Sequence, residues 1–233
     1  MKLMNLSSGD KRIELAPILY HGSNCTVKVP DLDHCKEDND FGKAFYVTND
    51  KKKAEMWALL KTDSEGKGKP TVSVYANNFN KLIVKDLGDY SVESWIAVLI
   101  KHRGYSGSIT RRAAYRFIDL YYPDIFDADI VIGYRADDSY FRITEAFLRN
   151  AIGTGNVSSL LHVGRLGYQA AISSLSAFDL PSIIYSDSYT SMSMSLQAAR
   201  KADSESRRTC HQWIEDIEDG YKPLVGKTFK ELI

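Results

Sequence analysis

The most continuous apolar run in the chain, Ala128 to Tyr134 (ADIVIGY), has the length and composition of a central strand. A helical pattern follows, opened by Asp137 or Asp138 and carrying Phe141, Ala146, Phe147 and Leu148. The other strand patterns are shorter and do not alternate strictly with helices. Residues 13–20 (IELAPILY) read as a strand entering a turn at His21-Gly22-Ser23, with Pro17 marking an edge strand or a strand start. Phe41 to Thr48 (FGKAFYVT) reads as a turn feeding a short strand. Thr71 to Ala76 alternates as a half-buried strand, and Lys81 to Lys85, Tyr168 to Ser173 and Ser182 to Tyr185 follow. Helices are predicted from a cap at Asn49 or Asp50, from Ser91, over residues 111–121, from Asn156 through Leu166, and over 196–218. Gly153-Thr154-Gly155 reads as a helix stop. This mixture predicts the α+β class. Residues 1–185 are assigned to one domain. Residues 186–233 are assigned to a Ser/Tyr/Met-rich linker and a C-terminal helical extension that packs back on the domain or meets a partner.

Composition narrows the classes of function. The chain of 233 residues has 44% hydrophobic residues, enough for a full core without covalent staples. Its formal net charge is zero, so no global field recruits nucleic acid or an anionic membrane. Three scattered cysteines, Cys25, Cys35 and Cys210, form no CxxC pair and suit a reducing compartment. The first residues carry no apolar run of signal-peptide length, and no apolar stretch is long enough to span a bilayer. The expectation is a cytoplasmic protein with no membrane partner.

Zinc-protease, P-loop and nucleophile-elbow motifs are absent. His34 beside Cys35 fits no metal-ligand spacing, so no metal is assigned. Among the five histidines, His102 closes a helix, where it can meet the helix dipole, and His162 and His211 fall inside helices. His21 differs, because it ends a strand just before a glycine, where a side chain can face a cleft. A turn histidine with a local hydrogen bond is the plain structural alternative. Strand packing is the alternative for Phe45, Tyr46 and Val47, and helix capping for Asp137 and Asp138.

Leu19-Tyr20-His21-Gly22-Ser23, followed about twenty residues on by Phe41-Gly42-Lys43-Ala44-Phe45-Tyr46-Val47-Thr48, resembles the first two motifs of the ADP-ribosyltransferases. The likeness is to the diphtheria-toxin and poly-ADP-ribose-polymerase branch, with its His–Tyr–Glu residues. Ala44 stands where that branch has glycine. The order of later segments, Ile130-Val131-Ile132-Gly133 with Ala136-Asp137-Asp138, then Gly167-Tyr168-Gln169, is similar to a bacterial family of uncharacterised domains with a proposed His–Tyr–Asp set. The resemblance runs from about Leu19 to about Tyr185.

The resemblance implies a split β-sheet core with flanking helices and NAD⁺ as substrate. It implies that His21 holds the adenosine ribose, that the Gly22 backbone pairs with the nicotinamide amide, and that Tyr46 stacks on the nicotinamide ring. Gly22, Ser23, Phe45 and Asp137 would line the dinucleotide site. The family's late-strand glutamate is matched by Gln169, a neutral residue that can position a hydroxyl but supplies no charge. Asp138 is the expected acid, with Asp137 the near alternative. The implied partners are a protein or nucleic-acid acceptor and an antitoxin. Two other readings stay open: an NAD⁺ glycohydrolase, and a silent module that binds a nucleotide or a partner.

Overall fold

The computed structural model describes residues 16–105, 109–163, 167–179 and 182–233, with the side chains of 137–141, 163 and 179 outside that description. Seven strands are described: β1 (Ile18–Ser23), β2 (Phe45–Val47), β3 (Thr71–Asn77), β4 (Val84–Asp86), β5 (Ile130–Tyr134), β6 (Tyr168–Ile172) and β7 (Ile183–Tyr189). The helices are α1 (Lys51–Glu65), α2 (Val92–Arg103), α3 (Arg111–Tyr121), α4 (Asp137–Leu148), α5 (Thr154–Val163), α6 (Ser176–Asp179), α7 (Leu196–Glu218) and α8 (Phe229–Leu232). The class is α+β.

The strands form two sheets. One has the order β1-β3-β7, all antiparallel; the other has the order β2-β6-β5-β4, with only β4 and β5 parallel. Strand alternation sorts the side chains into layers. Phe45, Val47, Ile130, Ile132, Ala170 and Ile172 leave one face of the four-stranded sheet and meet Leu19 and Tyr75 of the three-stranded sheet. The opposite face sends Val131 and Ala171 into a cluster with residues of α2, α3, α4, α5, α7 and α8. Helix α1 covers the outer face of the three-stranded sheet, where Ala54 and Ala58 meet Val72 and Tyr20.

Local chemistry accounts for several boundaries. The Asp50 carboxylate accepts from the N–H groups of Lys52 (2.9 Å) and Lys53 (3.2 Å), capping α1. Gly66 closes that helix at φ 63°, a left-handed conformation suited to glycine. Ser91 and Thr110 cap α2 and α3 in the same way. The fully buried Trp95 of α2 donates its indole N–H to the carbonyl of Tyr134 at 3.1 Å, fixing the helix layer against the end of β5.

Some expected elements differ. The start of the strand expected over 13–20 lies outside the described residues, as do Leu166 and the middle of the glycine-rich loop after α2. The strand expected over 81–85 begins as a 3-10 turn, Phe79–Lys81, and pairs only at Val84–Asp86. Asn156 does not cap a helix. It sits inside α5, where its Oδ1 accepts from the N–H groups of Gly153 (3.1 Å) and Val225 (2.7 Å). Gly153-Thr154-Gly155 likewise does not stop a helix; it opens α5. A Cβ on Gly153 would lie 2.4 Å from the Val225 carbonyl oxygen, so the glycine admits the C-terminal segment at close range. The last strand runs to Tyr189, well into the residues expected to be a linker, because pairing with β3 recruits them.

The C-terminal residues share the main core. Cys210, Ile214 and Ile217 of α7 are buried there, and Phe229 of α8 packs on Phe117 and Phe147. The strap ahead of α7 is tied to α1 through the buried Glu55, which accepts from the Tyr189 hydroxyl (3.2 Å), the Ser193 amide (2.9 Å) and the Ser193 hydroxyl. No described helix is long and apolar enough to cross a membrane.

Candidate functional site

The two sheets meet along their edge strands, β1 and β2, at one bridge. The Tyr20 amide donates to the Thr48 carbonyl at 2.8 Å, and the Thr48 amide returns the bond to Tyr20 at 3.0 Å. An unbroken antiparallel ladder would next pair Gly22 with Tyr46. Instead, the imidazole of His21 takes the Tyr46 carbonyl, with Nδ1 2.7 Å from that oxygen. The strands part from this point.

The alternation of an antiparallel ladder decides which groups face the gap. Tyr20 points its peptide groups away from β3 toward Thr48, so Gly22, two residues on, also turns its N–H and C=O to the open edge. By the same argument Tyr46, two residues before Thr48, turns its N–H and C=O away from β6 and toward β1. The gap therefore has the Gly22 peptide on one side and the Tyr46 peptide on the other, with His21 at the fork.

Gly22 is glycine for a packing reason. A Cβ there would lie 2.1 Å from the Ala54 carbonyl oxygen and 2.9 Å from the Ala58 nitrogen. Helix α1 thus rests directly on the β1 backbone, and the absent side chain serves that contact on the side opposite the four-stranded sheet.

His21 stacks on Phe45, with ring centroids 4.4 Å apart. Burial lowers its pKa from 6.5 to about 4, against the raising effect of the Tyr46 hydrogen bond, and nearby Lys61 lowers it further. The ring is neutral at pH 7. A carbonyl only accepts, so Nδ1 carries the proton and Nε2 keeps a lone pair for an incoming hydroxyl.

Tyr46 projects to the helix-covered face. Its hydroxyl donates to the Gly42 carbonyl (2.9 Å) and accepts from the Phe41 amide (3.0 Å), folding the Asp40-Phe41-Gly42 turn onto the sheet. Burial pushes its pKa above the usual phenol range. The phenol stays protonated and is no general base. Gly42, at φ 86°, leaves room for the His102 ring, which a Cβ would approach to 2.7 Å. Burial, and then nearby Lys101, lower the pKa of His102.

Gln169 is buried and lies in register with Gly133 across β6 and β5. Its Nε2 donates to Asp40 Oδ2 at 2.7 Å. The same oxygen accepts from the Ala136 amide at 2.8 Å, and Arg103 Nη1 donates to Oδ1 at 2.7 Å. Asp40 is the residue that sequence reasoning missed. It is one of five acids between 29 and 40, and nothing local separates it from Asp38. Only its 7% exposure in the folded chain does so.

His21, Gly22, Phe45 and Tyr46 are thus brought together at the fork, and Ser23, buried, continues β1 beyond it. Gln169 joins the Tyr46 side through Asp40 and the turn. Asp137 and Asp138 occupy the first turn of α4, directly after Ala136, and their side chains lie outside the described residues. On the α1 side, the Arg135 guanidinium lies over the Trp57 ring at 4.6 Å, joining the end of β5 to α1.

Fold and site together define an α+β protein whose two sheets part at paired edge strands around a neutral histidine. A family model described as "Protein of unknown function (DUF3990)" matches residues 18–181, and the chain belongs to that family. No curated protein and no solved structure matches it.

Proposed function

We propose that the chain is an NAD⁺-dependent ADP-ribosyltransferase that moves ADP-ribose to a protein or nucleic-acid acceptor, and that the gap between β1 and β2 holds the dinucleotide. The observation that carries this reading is the interrupted ladder. The Gly22 peptide faces the open edge beside a histidine whose Nε2 is an acceptor. One N–H and one C=O on a single residue match the carboxamide of nicotinamide, which has both an acceptor and a donor. The two sheets joined at one bridge also agree with the split-sheet core that the motifs imply.

In this reading Nε2 of His21 accepts from a ribose hydroxyl of the adenosine half and fixes the dinucleotide. The Tyr46 ring supports the nicotinamide, while its hydroxyl holds the turn. The bond from the nicotinamide nitrogen to ribose breaks heterolytically, and its electron pair goes to the ring nitrogen. The ribose carbon gains oxocarbenium character, the acceptor's nucleophile attacks that carbon, and the acceptor's proton leaves to solvent. Gln169 offers a carboxamide oxygen to the hydroxyl next to that carbon. Catalysis here rests on orientation, because the described groups at the gap are neutral.

The test uses NAD⁺ labelled in the adenylate with purified protein and a cell lysate. Release of nicotinamide and label in protein or nucleic acid, both lost in folded His21→Ala, are expected. Nicotinamide release with no labelled macromolecule would make the chain a glycohydrolase. Intact NAD⁺ throughout would overturn the reading.

A further inference from the structure

Resting on the reading of the gap as an NAD⁺ site, we propose that Asp40 is a positioning residue that sets which end of the Gln169 carboxamide faces the substrate. A glutamine amide has a donor end and an acceptor end of nearly equal shape, and the wrong end at a ribose hydroxyl offers a donor where an acceptor is needed. Asp40 removes that ambiguity. Its carboxylate collects three N–H donors, from Gln169, Ala136 and Arg103, at 2.7 to 2.8 Å. With Nε2 held by a carboxylate, the Gln169 oxygen is turned away from Asp40.

The carboxylate is itself fixed from independent directions. Arg103 ends α2, and Ala136 immediately precedes α4. Phe41, the next residue, lies over Gly133, where a Cβ would come within 2.9 Å of its ring. Gly133 is the register partner of Gln169, so the Asp40-Phe41 step is pinned beside Gln169 by the sheet. Tyr46 clamps the same turn through Phe41 and Gly42. A neutral glutamine in place of a carboxylate thereby becomes an oriented acceptor, and the acidic group stands one hydrogen bond behind it.

The experiment measures nicotinamide release, with kcat and KM for NAD⁺ determined separately, in wild type, Asp40→Asn, Arg103→Gln and the double variant D40N/Q169E, each checked for a cooperative melt. An asparagine in place of Asp40 keeps one acceptor oxygen for three donors. With that oxygen on Arg103, its NH₂ stands at the Oδ2 position against Gln169 and Ala136, and Gln169 turns its own oxygen to that NH₂ and its donor end to the gap. Asp40→Asn is expected to lower kcat by about tenfold to a hundredfold while KM moves less than about threefold. In D40N/Q169E the introduced glutamate has two equivalent oxygens. One accepts from the introduced asparagine amide while the other still offers an acceptor to the gap, so kcat is expected to recover to within about tenfold of wild type. Arg103→Gln removes the ion pair but leaves the Asp40–Gln169 bond, so it is expected to melt earlier yet keep kcat within about threefold. Asp40→Asn with unchanged kcat, or a folded double variant no better than the single one, overturns the inference while the NAD⁺ reading stands. Arg103→Gln losing kcat as Asp40→Asn does also overturns it, because the ion pair then matters and not the amide's orientation. If Asp40→Asn does not fold, D40N/Q169E and Arg103→Gln carry the test, and a folded but inactive D40N/Q169E overturns it. A wild type that releases no nicotinamide removes both readings together.

Discussion

Nδ1 of His21 lies 2.7 Å from the carbonyl oxygen of Tyr46, and this bond stands where the next rung of a β1–β2 ladder would be. A side chain has replaced a backbone partner. The replacement satisfies the Tyr46 carbonyl and leaves the Gly22 peptide facing the parting strands.

The burial of neutral His21 makes stability depend on pH. Its pKa is about 4 in the folded chain and 6.5 as the unfolded reference. Between these values the unfolded chain binds a proton that the folded chain refuses, so the stability contribution is full above pH 6.5 and is lost as pH falls toward 4. The difference between the folded and unfolded values corresponds to roughly 3 kcal/mol as an upper figure. Urea unfolding of wild type and His21→Gln between about pH 4 and 8 is expected to show their stability difference changing across this window. A difference independent of pH would show that the ring is not held neutral.

Gly22→Ala is expected to unfold the α1 contact before it affects any ligand. The new Cβ would sit 2.1 Å from the backbone oxygen of Ala54, and backbone cannot turn aside as a flexible side chain does. The cost is about 1–3 kcal/mol or more by the usual scale of overpacking. A thermal melt checks it, and an unchanged melting temperature would mean that α1 slides freely on β1.

Tyr46→Phe and Tyr46→Ala separate the ring from the hydroxyl. Tyr46→Phe strips the Phe41 amide and the Gly42 carbonyl of a partner and is expected to cost about 1–3 kcal/mol. Nicotinamide release at a temperature where both variants are folded is expected to survive in Tyr46→Phe and fall about tenfold or more in Tyr46→Ala. Equal loss in both would assign the role to the hydroxyl.

Glu55 holds the strap between β7 and α7 on α1. Glu55→Ala leaves the Ser193 amide and two hydroxyls without their acceptor, and residues 189–195 are expected to become the first site cut by limited proteolysis. Unchanged cleavage of that segment would show that the packing of α7 alone holds the strap.

Local chemistry was legible along the chain. A cap at Asn49 or Asp50, and one at Ser91, were readable because an oxygen that meets an N–H two or three residues ahead is decided by neighbours in sequence; the fold selects Asp50. Helices 111–121 and 196–218, and the strand at ADIVIGY, were readable because their apolar periods mark one face or an unbroken run. The motif residues His21, Gly22, Phe45 and Tyr46 could be named from their order, and they do meet at one fork.

The sequence alone determined which residues carry hydrogen-bonding and apolar character, and how each short segment folds on itself. It did not separate Asp40 from Asp38, since the three donors that fix Asp40 lie 63, 96 and 129 residues away. Nor did it show that Gly22 makes room for α1, that residues 186–189 extend a strand, or that Asn156 binds the C-terminal segment. Those outcomes depend on groups distant in the chain whose partnership exists only once the sheets and helices have packed. Tertiary structure decided them because a buried polar group or a missing Cβ is resolved by whatever lies against it, and no sequence neighbour does.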